Sequence, residues 1–309
     1  MTAVTVRAPA KINLQLAVGA RREDGFHELA TVYLAVGLYD EVSAAPADAM
    51  TVAVEGGESA GVPVDSTNLV ARAASRLASR TGRAPGVRLR IRKNIPVAAG
   101  LAGGSADAAA ALLACDKLWG TRLPHDELRD LCAELGSDVP FILNGGVAVG
   151  TGRGERLAQV AVTGDFHRVL AFGQGGLSTP AVYQEYDRLR HPTDPGRRPV
   201  IDEVILRALR QGDVRALAAA LGGRGNGNEL AAAAISLRPE LGNTLTAGVG
   251  AGALAAFVSG SGPTCVFLAE DARAAERVVH GLMRSGTCRA ARAVAGPVPG
   301  AAAAAVEAG

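Results

Sequence analysis

Four places in this chain carry residues whose types and spacing could do chemistry. The first is Pro96 to Asp107, P-V-A-A-G-L-A-G-G-S-A-D, which runs directly into an alanine-leucine helix. Gly100, Gly103 and Gly104 free the backbone there, and Ser105 is expected to cap the helix. A glycine-rich turn emptying into a helix N-terminus aims several backbone N–H groups at one spot. The helix dipole adds positive potential, so the pattern suits a phosphate or another anion. No Gly-Lys-Ser/Thr closes the loop and no G-x-G-x-x-G spacing is present, so it is neither a Walker A motif nor a dinucleotide fingerprint. The same glycines would also serve plain close packing of helix on sheet.

Asp138 is the second. It sits in a Gly-Ser-Asp-Val-Pro bend after an amphipathic helix. A carboxylate fixed on such a bend can accept a proton from a substrate hydroxyl. It can equally be a turn aspartate bonding its own backbone. Lys11 is the third, on an alternating strand whose polar face also carries Asn13 and Gln15. That face is either solvated or the wall of a polar cleft. Beside an aspartate and a phosphate loop, the ammonium would hold a hydroxyl or phosphate and favour the ionised carboxylate. Of 32 basic residues only three are lysines, Lys11, Lys93 and Lys117, which singles out each compact ammonium. The fourth place is the second glycine turn, Ser259 to Pro263, which suits a hairpin connection or the close approach of a ligand or of the first loop.

The elements that must position these residues follow from periodicity. Val4 and Val6 start a short strand expected to break at Pro9, and Ile12, Leu14, Leu16 and Val18 alternate with polar or small residues in a second. A further strand is expected over 29–38. Asp65 or Ser66 is expected to cap a helix reaching Arg80, with Gly82 past its end. Val87, Leu89 and Ile91 alternate with Arg88, Arg90 and Arg92, giving a strand with one apolar face. Helices are expected from Ser105 to Trp119 and from His125 to Leu135, and a strand from Phe141 to Val149. The second half reads as a strand over 168–172, a helix over 181–189 and a loop over 191–199. Helices over 201–221, 228–237 and 271–284 are expected there too, with paired strands at 254–258 and 265–268. The Ala/Gly/Pro-rich tail from Gly296 to Gly309 is expected to be disordered.

Composition sets outer limits. With 309 residues and 48% hydrophobic content, the chain makes one large or two ordinary domains with a real core. A net charge of +2 gives no general reason for nucleic-acid or membrane binding, so an anion site must be local. Cys115, Cys132, Cys265 and Cys288 form no C-x-x-C pair and read as reduced thiols of a cytoplasmic protein. The first residues show no signal-peptide pattern, and no apolar run reaches membrane-spanning length.

Three motifs in this order carry a resemblance: A-P-A-K-I-N-L (Ala8 to Leu14), P-x-x-x-G-L-x-G-G-S (Pro96 to Ser105) and S-G-S-G-P-T (Ser259 to Thr264). Together they resemble the signature motifs of the galactokinase–homoserine–mevalonate–phosphomevalonate (GHMP) kinase superfamily. D-G-F-H-E-L (Asp24 to Leu29), G-S-D-V-P-F (Gly136 to Phe141) and N-E-L (Asn228 to Leu230) resemble its branch acting on diphosphocytidyl methylerythritol in the non-mevalonate isoprenoid pathway. The resemblance covers about residues 5 to 285.

The resemblance implies an α+β fold of two domains with the active site in the cleft between them. An N-terminal domain over 1–155 would carry the phosphate loop, the lysine and the aspartate, and a C-terminal domain would span 165–290. It implies transfer of the γ-phosphoryl of ATP, with Mg²⁺, to the 2-hydroxyl of the methylerythritol unit. The catalytic lysine and aspartate fall on Lys11 and Asp138. The ATP loop falls on Pro96, Val97, Ala98, Ala99, Gly100, Leu101, Ala102, Gly103, Gly104, Ser105 and Ala106, with Ser105 reaching phosphate or metal. Phe26 and His27 fall on the cytidine pocket, Tyr183 on a further aromatic of it, and Asn13 on the substrate side. The implied partner is a small molecule, with no nucleic acid and no membrane, and the oligomeric state is left open. Another kinase of the superfamily, of homoserine or mevalonate type, or a non-catalytic regulator of the same fold are the alternatives. The loop departs from the family's usual run of three glycines and second serine. Ala102 adds a methyl and demands an ordinary φ if unstrained, and Ala106 removes a hydroxyl donor.

Overall fold

The computed structural model describes residues 3–190, 198–222 and 227–304. The chain opens with a long antiparallel hairpin, β1 (Val4–Arg21) and β2 (His27–Pro46), followed by β3 (Thr51–Glu55) and helix α1 (Leu69–Thr81). β4 (Val87–Arg92) leads into α2 (Gly103–Trp119), α3 (His125–Leu135), the short α4 (Val139–Asn144), β5 (Val147–Gly152) and β6 (Arg156–Gln159). These strands form one sheet in the order β1-β2-β4-β3, with β5 on the other half of β2 and β6 on β5. β1 does not break at Pro9. A register shift between Pro9 and Ala10 absorbs the residue that cannot donate to the ladder. β4 shows the expected alternation, with Val87, Leu89 and Ile91 buried and the three arginines exposed.

α2 is enclosed almost all round. Its run Ala108–Ala111 has no exposed surface, and it packs against α1, α4, β1 and β2. Small alanine side chains permit such close approach, and a helix apolar on every face belongs in a core. α1 is capped by Asn68, whose Oδ1 accepts from Val70 N at 2.9 Å, and not by Asp65 or Ser66. Asp65 instead builds the preceding turn by accepting from Thr67 N.

The expected strand from Phe141 to Val149 is divided. Pro140 stands in the first turn of α4, where it costs no hydrogen bond, and Gly145 at φ 68° ends that helix before β5 begins. A short apolar run such as Phe141-Ile142-Leu143 fits either state by periodicity alone.

The second sheet is four-stranded, ordered β10-β7-β9-β8, from β7 (Phe166–Phe172), β8 (Ala255–Val258), β9 (Cys265–Ala269) and β10 (Ala290–Gly296). Its helices are α5 (Thr179–Leu189), α6 (Glu203–Gln211), α7 (Val214–Leu221), α8 (Ala231–Leu237), α9 (Glu240–Gly250) and α10 (Ala272–Ser285). The single helix expected over 201–221 is split at Gly212 (φ 69°), and Asp213 caps the second piece. α9 and β10 were not legible in the pattern. Most of the expected loop over 191–199 lies outside the described residues.

The tail expectation fails over 296–304. β11 (Ala302–Ala303) pairs with β1, and Ala301 N donates to Ile142 O at 2.9 Å. Main-chain hydrogen bonds, indifferent to the low-complexity side chains, hold this segment on the first sheet. The remainder of the tail, 305–309, lies outside the described residues. All four cysteines are free, and burial pushes the thiols of Cys115, Cys132 and Cys265 up to about 12, which leaves them inert.

Candidate active site

The site is assembled around the middle of β1. Lys11 N donates to Leu101 O at 3.1 Å, which ties the strand to the glycine loop. Its buried ammonium donates to Asn13 Oδ1 at 2.7 Å. Asn13 Nδ2 donates in turn to Thr31 Oγ1 at 2.8 Å, and Thr31 Oγ1 to Gln15 O at 2.6 Å. This chain of bonds across the hairpin fixes the direction of Lys11. Asp138 immediately precedes α4 and makes no capping bond of its own. Its Oδ2 lies 3.4 Å from Lys11 Nζ, with 28% of the side chain exposed. A carboxylate beside a fixed ammonium and open to a cavity can accept a proton from a bound hydroxyl.

Tyr33 completes this group, and motif reasoning missed it. It faces Asn13 across the β1–β2 ladder, and its ring centroid lies 5.5 Å from Lys11 Nζ and 4.9 Å from the ring of Phe141. Its phenol feels the charge of Asp138. Burial, with the Asp138 charge second, raises its pKa well above the ordinary phenol value. The hairpin register was the signal that could have found it.

The glycine loop differs from its expected detail. Ala102 does not take an ordinary φ. It lies at φ 58°, in the left-handed region, and α2 starts at Gly103. Ser105 is therefore the third residue of the helix and not its cap, and Ala102 offers no side-chain acceptor. The first-turn N–H groups of α2 thus lack a side-chain cap at the point where an anion would be favoured. Ala98, Ala99, Gly100, Ala102, Gly103, Gly104 and Ser105 line the same cavity as Lys11 and Asp138. Pro96 and Val97 line a smaller hollow on the other side of the loop, while Leu101 and Ala106 are wholly buried in the core.

The second glycine turn meets the first. Ser259 Oγ donates to Gly100 O at 3.0 Å, and a Cβ on Gly100 (φ 76°) would lie 2.2 Å from Ser259 O, so only glycine fits there. Asn228 supports the turn by donating to Val258 O and Gly260 O.

At the other end of the cavity His27 is buried and Phe26 is 53% exposed. Asp187 Oδ1 accepts from His27 Nε2 at 2.9 Å, and the imidazole stacks on Tyr183 with centroids 5.1 Å apart and planes 22° apart. The Arg153 guanidinium lies 5.0 Å from the Phe26 ring. Burial, with Asp138 second, raises the pKa of the Tyr183 phenol. Asp187 and Arg153 are further wall residues that no motif marked. The cavity encloses about 700 Å³, enough for a drug-sized ligand, and reaches from the glycine loop to this aromatic end.

The comparisons with known proteins agree with this geometry. Residues 68–146 match the GHMP kinases N terminal domain and residues 205–286 match GHMP kinases C terminal. The chain is 60% identical to the 4-diphosphocytidyl-2-C-methyl-D-erythritol kinase of Streptomyces avermitilis, over 96% of this chain and 98% of the relative. It is 54% identical to the protein of that name from Mycobacterium bovis, over 96% and 92%. A crystal structure of 4-(cytidine 5'-diphospho)-2C-methyl-D-erythritol kinase superposes with a TM-score of 0.75 at 35% identity, covering 94% of this chain and 98% of the other. A homoserine kinase from Cytophaga hutchinsonii has the same TM-score at 18% identity, covers 98% of both chains and shares the fold alone. The chain belongs to the GHMP kinases, in the 4-diphosphocytidyl-2-C-methyl-D-erythritol kinase family.

Proposed function

We infer that the cavity joining Lys11, Asp138 and the glycine loop to the His27–Tyr183 stack is where this chain phosphorylates its substrate. The chain is an ATP-dependent kinase of 4-diphosphocytidyl-2-C-methyl-D-erythritol, a small-molecule phosphotransferase of isoprenoid biosynthesis. The observation that carries the site assignment is the single cavity. An anion cradle, a lysine–aspartate pair and an aromatic end share its wall.

Phosphoryl transfer asks mainly for positioning and charge neutralisation. The first-turn amides of α2 hold the ATP phosphates. Asp138 takes the proton of the attacking 2-hydroxyl, while Lys11, oriented by Asn13, offsets charge on the transferred group. Phe26 and Tyr183 offer faces for the pyrimidine, and His27, oriented by Asp187, reads its edge. Arg153 supplies positive charge near the diphosphate. Mg²⁺ bound with ATP would neutralise phosphate oxygens. It commonly takes only one or two protein oxygens beside phosphates and waters, and the Ser105 hydroxyl on the cavity wall suits that demand. Among the described residues no three His, Cys, Asp or Glu side chains are grouped for a metal, so the fit is to a metal borne by the nucleotide. The reaction is assigned to the cytoplasm, and no described helix is long and apolar enough to cross a membrane.

The test is ATP consumption by folded protein with Mg²⁺ and the diphosphocytidyl substrate, with homoserine and mevalonate as competing acceptors. Turnover with the first alone is expected. Turnover only with another alcohol would reassign the acceptor, and none with any acceptor would favour a ligand-binding regulator.

A further inference from the structure

Lys93 is the one buried lysine that the reaction does not use. Its ammonium donates to Asp40 and, at 2.8 Å, to Asp107 Oδ2, and all three side chains are at most 4% exposed. Asp40 Oδ1 also accepts from Asn94 N at 2.6 Å and Ile95 N at 2.8 Å. One carboxylate therefore pins the two residues that lead into Pro96. Asp107 lies one turn into α2, the helix that leaves the loop. Lys93 thus ties the entrance of the glycine loop to its exit.

The tie passes directly beneath the candidate phosphate donors. The atom nearest to a Cβ built on Gly103 is Lys93 Nζ, at 2.8 Å, so the first residue of α2 rests on the ammonium with no room for a side chain. None of the three side chains lines the cavity, so their effect on a ligand must pass through the loop backbone. The arrangement is also a costly way to stabilise a core. A buried ammonium, the Asp40 carboxylate and the Asp107 carboxyl lose hydration, and Asp107 Oδ1 is left without a partner. Apolar side chains of similar volume could fill the same space without that loss, whereas directional bonds from one ammonium set a distance and an angle.

We propose that Lys93 is a positioning residue for nucleotide binding: by bridging Asp40 and Asp107 it holds the loop entrance and the first turn of α2 at the separation that aims the amides of Gly103, Gly104 and Ser105 into the cavity. This rests on reading the loop as the ATP-phosphate site. The strut acts on the nucleotide half of the reaction, since its partners touch neither the aromatic end nor the Lys11–Asp138 pair.

Two variants test it, Lys93→Met and the charge-free combination Asp40→Asn, Lys93→Met, Asp107→Leu. The combination leaves no buried charge unpaired, so it is protected from the instability expected of the single change. The KM for ATP is expected to rise about tenfold or more, as a misaimed cradle would require, while the KM for the diphosphocytidyl substrate stays within about twofold. A folded charge-free variant with an unchanged KM for ATP overturns the proposal. So does an equal rise in both KM values, or unfolding of both variants, since the residues would then be structural only. A Gly104→Asp control puts a carboxylate on the cavity wall. If it leaves the KM for ATP unchanged, the phosphate-loop reading itself fails. If it raises that KM while the charge-free variant does not, the strut alone fails.

Discussion

Lys11 Nζ stands 3.4 Å from Asp138 Oδ2, one side chain from the middle of β1 and the other from the residue preceding α4. The lysine has a second constraint, since Asn13 holds its ammonium. The ammonium is thus oriented before a substrate arrives, and its reorganisation during the reaction is small.

Asp138→Asn keeps the shape of the side chain and removes the proton acceptor. The expected outcome is a fall in kcat of about 10²- to 10⁴-fold, with ATP affinity within a fewfold of the parent. Rapid-quench turnover and nucleotide titration measure the two quantities separately. Full turnover would remove Asp138 from the base role.

Ala102 is held at φ 58°, a conformation that costs an L-residue with a Cβ roughly 1–2 kcal/mol. Ala102→Gly relieves that cost but also frees the unfolded chain, so a net gain of about 1 kcal/mol is expected. That gain corresponds to a rise in Tm of roughly 2 °C for a chain of this size. Calorimetry checks it, and a lower Tm would show that the left-handed turn is not the resting conformation.

Burial pushes the Asp107 carboxyl up to about 8, with the Lys93 charge opposing the shift. The folded state therefore holds that proton more tightly than the unfolded chain does. Its contribution to stability is complete below the ordinary carboxylate range and is lost as pH rises towards about 8. The Tm of the parent should fall across that window relative to Asp107→Asn, which has no proton to lose. Parallel melts from pH 4 to about 9 decide the matter, and equal slopes would contradict the shift.

His27 is oriented by Asp187 and stacked on Tyr183, so His27→Ala should act on one substrate only. A rise of about tenfold in the KM for the diphosphocytidyl substrate is expected, the loss of one or two buried polar contacts, with the KM for ATP unchanged. Steady-state kinetics with each substrate varied in turn separates the cases. An equal effect on both would place His27 in the fold and not in the pocket.

Local pattern was enough for β4, for the body of α1 and for α2 with its glycine loop, because their periodicity and stop signals lie within a few residues. It was enough, too, to single out Lys11, Asp138 and the two glycine turns. Local pattern could not choose helix over strand for Phe141 to Leu143, nor see that an Ala/Gly/Pro tail pairs with β1 through its main chain. It could not place Tyr33 opposite Asn13, because that depends on where the register of a long hairpin shifts. Nor could it show that Lys93, Asp40 and Asp107 converge, or that Ala102 turns left-handed to start α2. Composition and spacing determined which groups could react. Only tertiary structure decided which of them meet, since ladder register and close packing are set by residues far apart in the chain.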